Sequence, residues 1–138
     1  MMEYEYNING GDFSKAGFAS SHLKKALKQL NIPQKLIKRI VIALYEAEMN
    51  IVAHAYEGTI KVEITPEQIN INVKDKGPGI EDIEQAMQDG FSTASEEVRE
   101  MGFGAGMGLS NIKNNADDFE IISTVNEGTE LQIVTKIN

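Results

Sequence analysis

Hydrophobic and polar positions alternate with a period of two in residues 3–8, 60–65 and 69–74, and two further segments, residues 120–125 and 129–137, are also predicted to be strands. This period predicts β-strands that bury one face and leave the other in water. Short connections separate the second segment from the third and the fourth from the fifth, which predicts two antiparallel hairpins. The predicted strands are residues 3–8, 60–65, 69–74, 120–125 and 129–137.

Between the first and second strands, apolar residues recur every three or four positions, which predicts helices. Asp12 or Ser14 is predicted to cap a helix that runs to about Leu30. After a break at Pro33, residues 34–56 carry the longest apolar stripe, and Gly58 is predicted to end that helix. The stripe comprises Ile37, Ile40, Leu44, Ala47, Ile51 and Ala55.

The order of the elements predicts one α+β domain over residues 1–138. The expected architecture is a two-layer sandwich, with a mixed, mostly antiparallel sheet and helices on one face. The insert at residues 81–101 is long and polar, as lids over sites often are, and the lid is predicted at about residues 81–105.

Composition narrows the function classes. The chain has 138 residues, a net charge of −8 and no cysteine. General nucleic-acid binding needs a basic surface, so it is not expected, whereas a nucleotide can bind an acidic protein through local N–H groups and Mg²⁺. Without a basic start or a long apolar run, the chain is expected to be cytoplasmic and not to enter a membrane.

The glycine-rich segment at residues 102–109 opens a predicted helix. Alternating glycines expose backbone N–H groups that can hold phosphate. The segment lacks the third glycine of a dinucleotide-binding fingerprint at its required position, and it lacks the Gly-Lys-Ser/Thr of a P-loop. A flexible linker is the plain alternative, but the intervening Phe, Ala, Met and Leu are unlike linker composition.

Two further motifs carry suitable chemistry. Glu46 and Asn50 lie one turn apart on the long helix, where an amide oxygen can ligate Mg²⁺ and a carboxylate can accept a proton. Asp75, followed by Gly77 and Gly79, ends a buried strand and can accept a hydrogen bond from an exocyclic amine. Each motif alone also fits an ordinary role, as solvated helix residues or as a turn.

Together, in this order and spacing, the three motifs resemble the GHKL superfamily, whose members carry the Bergerat ATP-binding fold. The resemblance spans about residues 36–137. Within the superfamily, residues 46–56 and 90–93 resemble the anti-sigma-factor serine/threonine protein kinases.

The resemblance implies a role for each matching position. Glu46 is expected to be the general base, Asn50 the Mg²⁺ ligand, and Asp75 the reader of the adenine amine. Thr129 matches the residue that closes the adenine pocket, although an ordinary strand-start threonine is an equal alternative. The other positions expected to contact nucleotide are Gly77, Gly79, Ile80, Gly102, Gly104, Gly106, Met107, Gly108 and Leu109.

The implied activity is transfer of the γ-phosphate of ATP, with Mg²⁺, to Ser or Thr of a small anti-sigma-antagonist (STAS-type) partner. The alternative is an ATP-gated protein-binding switch with little or no phosphotransfer, and a slow ATPase is a third reading. A sigma factor and a second copy of the chain remain open as further partners.

Overall fold

The structure is a computed structural model that describes residues 2–80, 82, 83, 87 and 108–137. Five strands form one sheet in the order β1-β2-β3-β5-β4. The sheet was predicted to be mixed and mostly antiparallel, and its four described pairings are all antiparallel. The strands are β1 (Met2–Asn9), β2 (Glu57–Ile64), β3 (Gln68–Lys76), β4 (Asp118–Thr124) and β5 (Gly128–Lys136).

Three helices cover one face of this sheet, which confirms the predicted α+β fold. They are α1 (Phe18–Gln29), α2 (Gln34–His54) and α3 (Gly108–Asn114), with a short 3-10 turn at Phe13–Lys15. None of the helices in the described part of the chain is both long and apolar enough to cross a membrane.

The core lies between α2 and the inward face of the sheet. The apolar stripe of α2 is buried from Ile37 to Ile51, as its period predicts, and Ala55 is half-buried. Alternate strand residues meet this stripe, while lysine and glutamate side chains occupy the other face of β2. The buried apolar residues of the strands are Tyr6, Ile60, Val62, Ile64, Ile69, Ile71, Val73, Leu131 and Ile133.

The predicted start of the first helix is wrong. Ser14 Oγ donates to Asp12 Oδ1, and neither side chain caps the helix. The α-helix begins at Phe18, after Gly17 in a left-handed conformation with φ of 92°. Because glycine adopts this conformation without strain, the chain changes direction here and the helix starts later than predicted.

The cap of α1 comes from α2. Glu48 is only 2% exposed, and its carboxylate accepts hydrogen bonds from three backbone N–H groups and one hydroxyl. The donors are Gly17 N at 3.2 Å, Ala19 N at 3.1 Å, Ser20 N at 3.3 Å and Ser20 Oγ at 3.1 Å. Negative charge at a helix N-terminus is favourable, so this contact fixes α1 against α2.

The predicted end of the second helix is also wrong, because Gly58 is a strand residue. The helix ends at His54, Ala55 is extended, and the N–H of Tyr56 donates to the carbonyl of Lys76 in β3. A Cβ at Gly58 would lie 2.7 Å from Ile51 Cδ1, so glycine lets α2 pack closely on β2. The predicted lid lies almost entirely outside the described residues.

Candidate functional site

The Glu46–Asn50 motif meets the end of the glycine-rich segment. A Cβ added at Gly108 would lie 3.1 Å from Asn50 Oδ1 and 3.4 Å from Glu46 Oε2. The first residue of α3 is therefore close to both side-chain oxygens, and a larger residue there would push them aside by a few tenths of an ångström. Asn111 Nδ2, one turn further along α3, donates to Glu46 Oε1 at 3.4 Å.

Glu46 has an altered affinity for protons. Its side chain is half-buried, and this burial raises the pKa of the carboxyl, while the hydrogen bond from Asn111 acts in the opposite direction. A carboxylate with a raised pKa is a stronger proton acceptor than a solvated glutamate. The pKa of His54, one turn after Asn50, is lowered by burial, so the imidazole tends to be neutral.

Asp75 forms a second corner of the site, at the end of β3. Its Oδ1 accepts a hydrogen bond from the backbone N–H of Thr129 at 3.1 Å. Burial raises the pKa of the Asp75 carboxyl, and the bond from Thr129 partly offsets this effect. Gly128 has φ of 152°, and a Cβ there would lie 2.1 Å from the Asp75 carbonyl oxygen, so β5 approaches β3 more closely than a side chain allows.

The loop after β3 is attached to the β4–β5 hairpin. Gly79 has φ of 76°, and a Cβ there would lie 2.4 Å from the carbonyl oxygen of Thr124. The N–H of Gly77 donates to the carbonyl of Glu127 at 3.2 Å, and the N–H of Ile80 donates to Ser123 Oγ at 2.8 Å. Gly77 and Gly79 therefore allow close backbone packing of this loop. This role is additional to the nucleotide contact that the sequence predicts for them.

Helix α2 connects the two corners. A Cβ at Gly77 would lie 3.0 Å from Ala55 Cα, so the Asp75 loop contacts the end of α2. Ala55 follows Asn50 by five residues, which is about 7.5 Å of helix rise. The two polar corners are thus separated along one helix, as a site for a long ligand with chemically distinct ends requires.

Other predicted positions have different surroundings. Leu109 is 8% exposed and belongs to the hydrophobic core, so its side chain anchors α3. Gly102, Gly104, Gly106 and Met107 lie outside the described residues. The part of the chain that the structure describes contains no group of three or more His, Cys, Asp or Glu side chains able to hold a metal ion.

Sequence reasoning missed two residues of these corners, Asn111 and Ser123. Asn111 lies three positions after Gly108, which places it on the same side of α3. Ser123 is a polar residue at a position where the alternation of β4 predicts an inward side chain. Both signals are present in the sequence, but neither identifies the contact partner.

Replacing Gly108 with Ala is expected to weaken binding of Mg·ATP about tenfold without lowering the melting temperature. The added methyl group displaces Asn50 Oδ1, whereas alanine is the better helix former. Calorimetric titration and thermal unfolding of the same sample measure the two effects. Lys113→Ala, on an exposed position of α3, is the control. Unchanged Mg·ATP affinity in Gly108→Ala would contradict the proposed closeness to the ligand.

Comparison with known proteins identifies the family of this chain. The sequence profile of the family described as histidine kinase-like ATPase domain matches residues 16–135. The anti-sigma F factor of Thermoanaerobacter sp. (strain X514) is 36% identical, over 99% of this chain and 97% of that protein. The serine/threonine-protein kinase RsbT of Bacillus subtilis (strain 168) is 37% identical, over 70% of this chain and 69% of that protein.

A solved structure also resembles the chain. The mycobacterial sensor histidine kinase MprB aligns with a TM-score of 0.55 and 15% identity, over 98% of this chain and 97% of that one. At this identity the likeness concerns the fold alone. The family match covers most of the chain, including both corners of the site. The chain therefore belongs to the GHKL-like family of histidine kinase-like ATPase domains.

Proposed function

We propose that this chain is an ATP- and Mg²⁺-dependent protein serine/threonine kinase that acts as an anti-sigma regulatory factor. Its substrate is a small anti-sigma-antagonist protein of the STAS type. The observation that carries the proposal is the corner at Gly108, where Glu46, with a raised pKa, lies beside the amide oxygen of Asn50. The names of the relatives, an anti-sigma F factor and a serine/threonine-protein kinase, support the same class.

Glu46 acts as the general base. The partner's hydroxyl oxygen attacks the γ-phosphorus in line, the bond from that phosphorus to the β–γ bridging oxygen breaks, and ADP leaves. The hydroxyl proton passes to the Glu46 carboxylate, whose raised pKa favours its acceptance. Asn111 keeps the carboxylate oriented through its bond to Oε1.

Asn50 supplies the oxygen for a magnesium ion. Mg²⁺ commonly takes only one or two protein ligands and completes its shell with waters and phosphate oxygens. The single amide oxygen beside Gly108 fits this pattern, and it agrees with the lack of a larger acidic cluster among the described residues. A magnesium ion held there by Asn50 would supply positive charge beside the phosphates.

The other corner binds the base. The Asp75 carboxylate accepts a hydrogen bond from the adenine amine, and Thr129 closes the pocket beside it. Gly102, Gly104, Gly106, Met107 and the lid predicted at about residues 81–105 complete the triphosphate site in this proposal, and they lie almost entirely outside the residues that the structure describes. In this proposal the whole chain, residues 1–138, is one catalytic domain that works in the cytoplasm.

The decisive experiment incubates the full chain with Mg·ATP labelled at the γ-phosphate and a panel of antagonist proteins encoded nearby. Nucleotide binding is measured on the same sample. Binding with transfer to Ser or Thr is the expected result. Binding without transfer would favour an ATP-gated switch, and no binding would overturn the nucleotide site itself.

Affinity for ADP is expected to fall as the pH is lowered. The fall should begin at a higher pH than it would if Asp75 had the ordinary pKa of an aspartate. Asp75 must be ionised to accept the amine, and burial raises its pKa above the usual 3.8. As the pH falls through this raised pKa, the acceptor is lost and the dissociation constant rises, by at most about tenfold per pH unit for one proton. Calorimetric titration across this range measures the effect.

Asp75→Asn is the control for this pH dependence. It is expected to bind ADP weakly and to lose the part of the pH dependence that comes from Asp75, so that only the change caused by titration of ADP itself remains. Circular dichroism at each pH verifies that the fold persists. A wild-type affinity that is constant down to the ordinary range of aspartate would contradict the role of Asp75.

A further inference from the structure

Ser123, in β4, contacts two other segments of the Asp75 corner, the loop after β3 and the start of β5. Its Oγ accepts a hydrogen bond from the N–H of Ile80 at 2.8 Å. It also lies 3.2 Å from the carbonyl oxygen of Gly128 and 2.8 Å from Thr129 Oγ1. One hydroxyl therefore contacts the loop after β3, the start of β5 and the threonine expected to close the base pocket.

The directions of these bonds follow from the groups involved. A serine hydroxyl has one proton to donate and two lone pairs that accept. The N–H of Ile80 only donates, and the carbonyl of Gly128 only accepts. All three bonds form together only when Ser123 donates to Gly128 and Thr129 donates its own proton to Ser123.

This arrangement determines what Thr129 offers to a ligand. With its proton held by Ser123, the Thr129 hydroxyl presents only lone pairs to other groups. The backbone N–H of the same residue is used by Asp75 Oδ1 at 3.1 Å. Oδ2 of that carboxylate receives no hydrogen bond from the residues that the structure describes.

The side chains of Asp75, Ser123 and Thr129 lie on one face of the sheet. Ser123 pairs directly with Thr129 across β4 and β5, and the register of β5 with β3 continues to place Thr129 opposite Asp75. Asp75 and Thr129 lie at the same alternate positions as the buried residues of β3 and β5, and Ser123 lies at one of the half-buried positions of β4. All three side chains therefore face the helical layer. The corner thus presents a carboxylate and a hydroxyl oxygen, both as acceptors.

We propose that Ser123 is a positioning residue that determines purine specificity by holding the Thr129 hydroxyl as an acceptor. Two acceptors match a 6-amino purine, whose amine has two protons, and repel a 6-oxo purine, whose carbonyl oxygen has none. The inference rests on the proposed nucleotide site and names its selectivity. A site that leaves a ligand's polar group unpaired discriminates strongly against that ligand.

The test compares ADP with IDP, which carries a carbonyl oxygen in place of the amine and a proton on N1, by calorimetric titration of the full chain. Wild type is expected to prefer ADP. In Ser123→Ala the Thr129 proton is released and can turn towards a carbonyl, so the ratio of the two affinities is expected to fall about tenfold or more. Ser123→Thr keeps the hydroxyl and is expected to retain the preference.

Two further variants separate positioning from a general structural role. Thr129→Val removes the hydroxyl through which Ser123 acts, so adding Ser123→Ala to it is expected to leave the ADP-to-IDP ratio unchanged. Thr124→Ala, which removes an exposed hydroxyl on the other face of the same strand, is expected to behave as wild type.

Each contrary result has a distinct meaning. If Ser123→Ala lowers both affinities equally, Ser123 only stabilises the corner and the specificity role is overturned. Equal wild-type affinities for ADP and IDP overturn the inference but leave the proposed kinase intact. If wild type binds neither nucleotide, the proposed function fails, and this inference with it.

Discussion

Replacing Glu46 with Gln is expected to reduce phosphoryl transfer by about 10²- to 10⁴-fold, the usual contribution of a general base. Glutamine keeps the shape of the side chain but cannot accept the hydroxyl proton. Binding of Mg·ATP is expected to stay close to wild type, because Asn50 and Asp75 are unchanged. Single-turnover transfer of labelled phosphate and calorimetric binding measure the two effects.

Glu63→Gln is the matched control, since Glu63 is an exposed glutamate on the outer face of β2. It is expected to transfer phosphate at the wild-type rate. Wild-type transfer by Glu46→Gln would exclude this residue as the base. Loss of binding along with transfer would instead show that Glu46 contributes mainly to holding the nucleotide.

The same substitution is expected to stabilise the apoprotein at neutral pH. Burial raises the folded-state pKa of Glu46 above its ordinary 4.5, so ionisation of this group costs stability as the pH rises through that raised pKa. Glutamine carries no charge and avoids this cost. The excess stability of Glu46→Gln should therefore shrink below the ordinary pKa of glutamate, which urea unfolding at several pH values can measure.

Much of the fold was predictable because one face of each main element is buried. The alternation of Ile60, Val62 and Ile64 and the stripe from Ile37 to Ile51 reflect the same core from two sides. The errors occurred where a distant residue decides a local structure. The start of α1 depends on Glu48 in the next helix. The end of α2 depends on the hydrogen bond from the N–H of Tyr56 to the carbonyl of Lys76 in β3.

The site shows the same division. Glu46, Asn50 and Asp75 could be chosen as candidates from the sequence, because each is a suitable residue type at a recognisable spacing, and their roles stay predictions. Ser123 and Asn111 were not, because their roles come from contacts across a hairpin and between helices. The closeness of Gly108 to Asn50 is likewise a tertiary fact, although the glycine itself was predicted to bind nucleotide.

Replacing Glu48 with Ala is expected to lower the free energy of unfolding by about 3 kcal/mol or more. The change leaves three backbone N–H groups of the α1 terminus without their acceptor in a site that is almost fully buried, whereas the Ser20 hydroxyl can still donate to the Gly17 carbonyl. Each buried unsatisfied group costs about 1–3 kcal/mol, only part of which relaxation recovers. Urea unfolding measures the loss, and the melting temperature should fall by about 10 °C.

Two variants define the cause of this loss. Ser20→Ala removes one of the four donors and is expected to cost only about 1 kcal/mol, and less in the Glu48→Ala background because the bond to Glu48 is already absent there. Glu63→Ala, at an exposed position, is expected to change stability little. A small loss in Glu48→Ala would show that water reaches the start of α1. In that case α1 would be held to α2 by its apolar stripe alone. Glu48 would then have no large structural role to set beside the catalytic role proposed for Glu46.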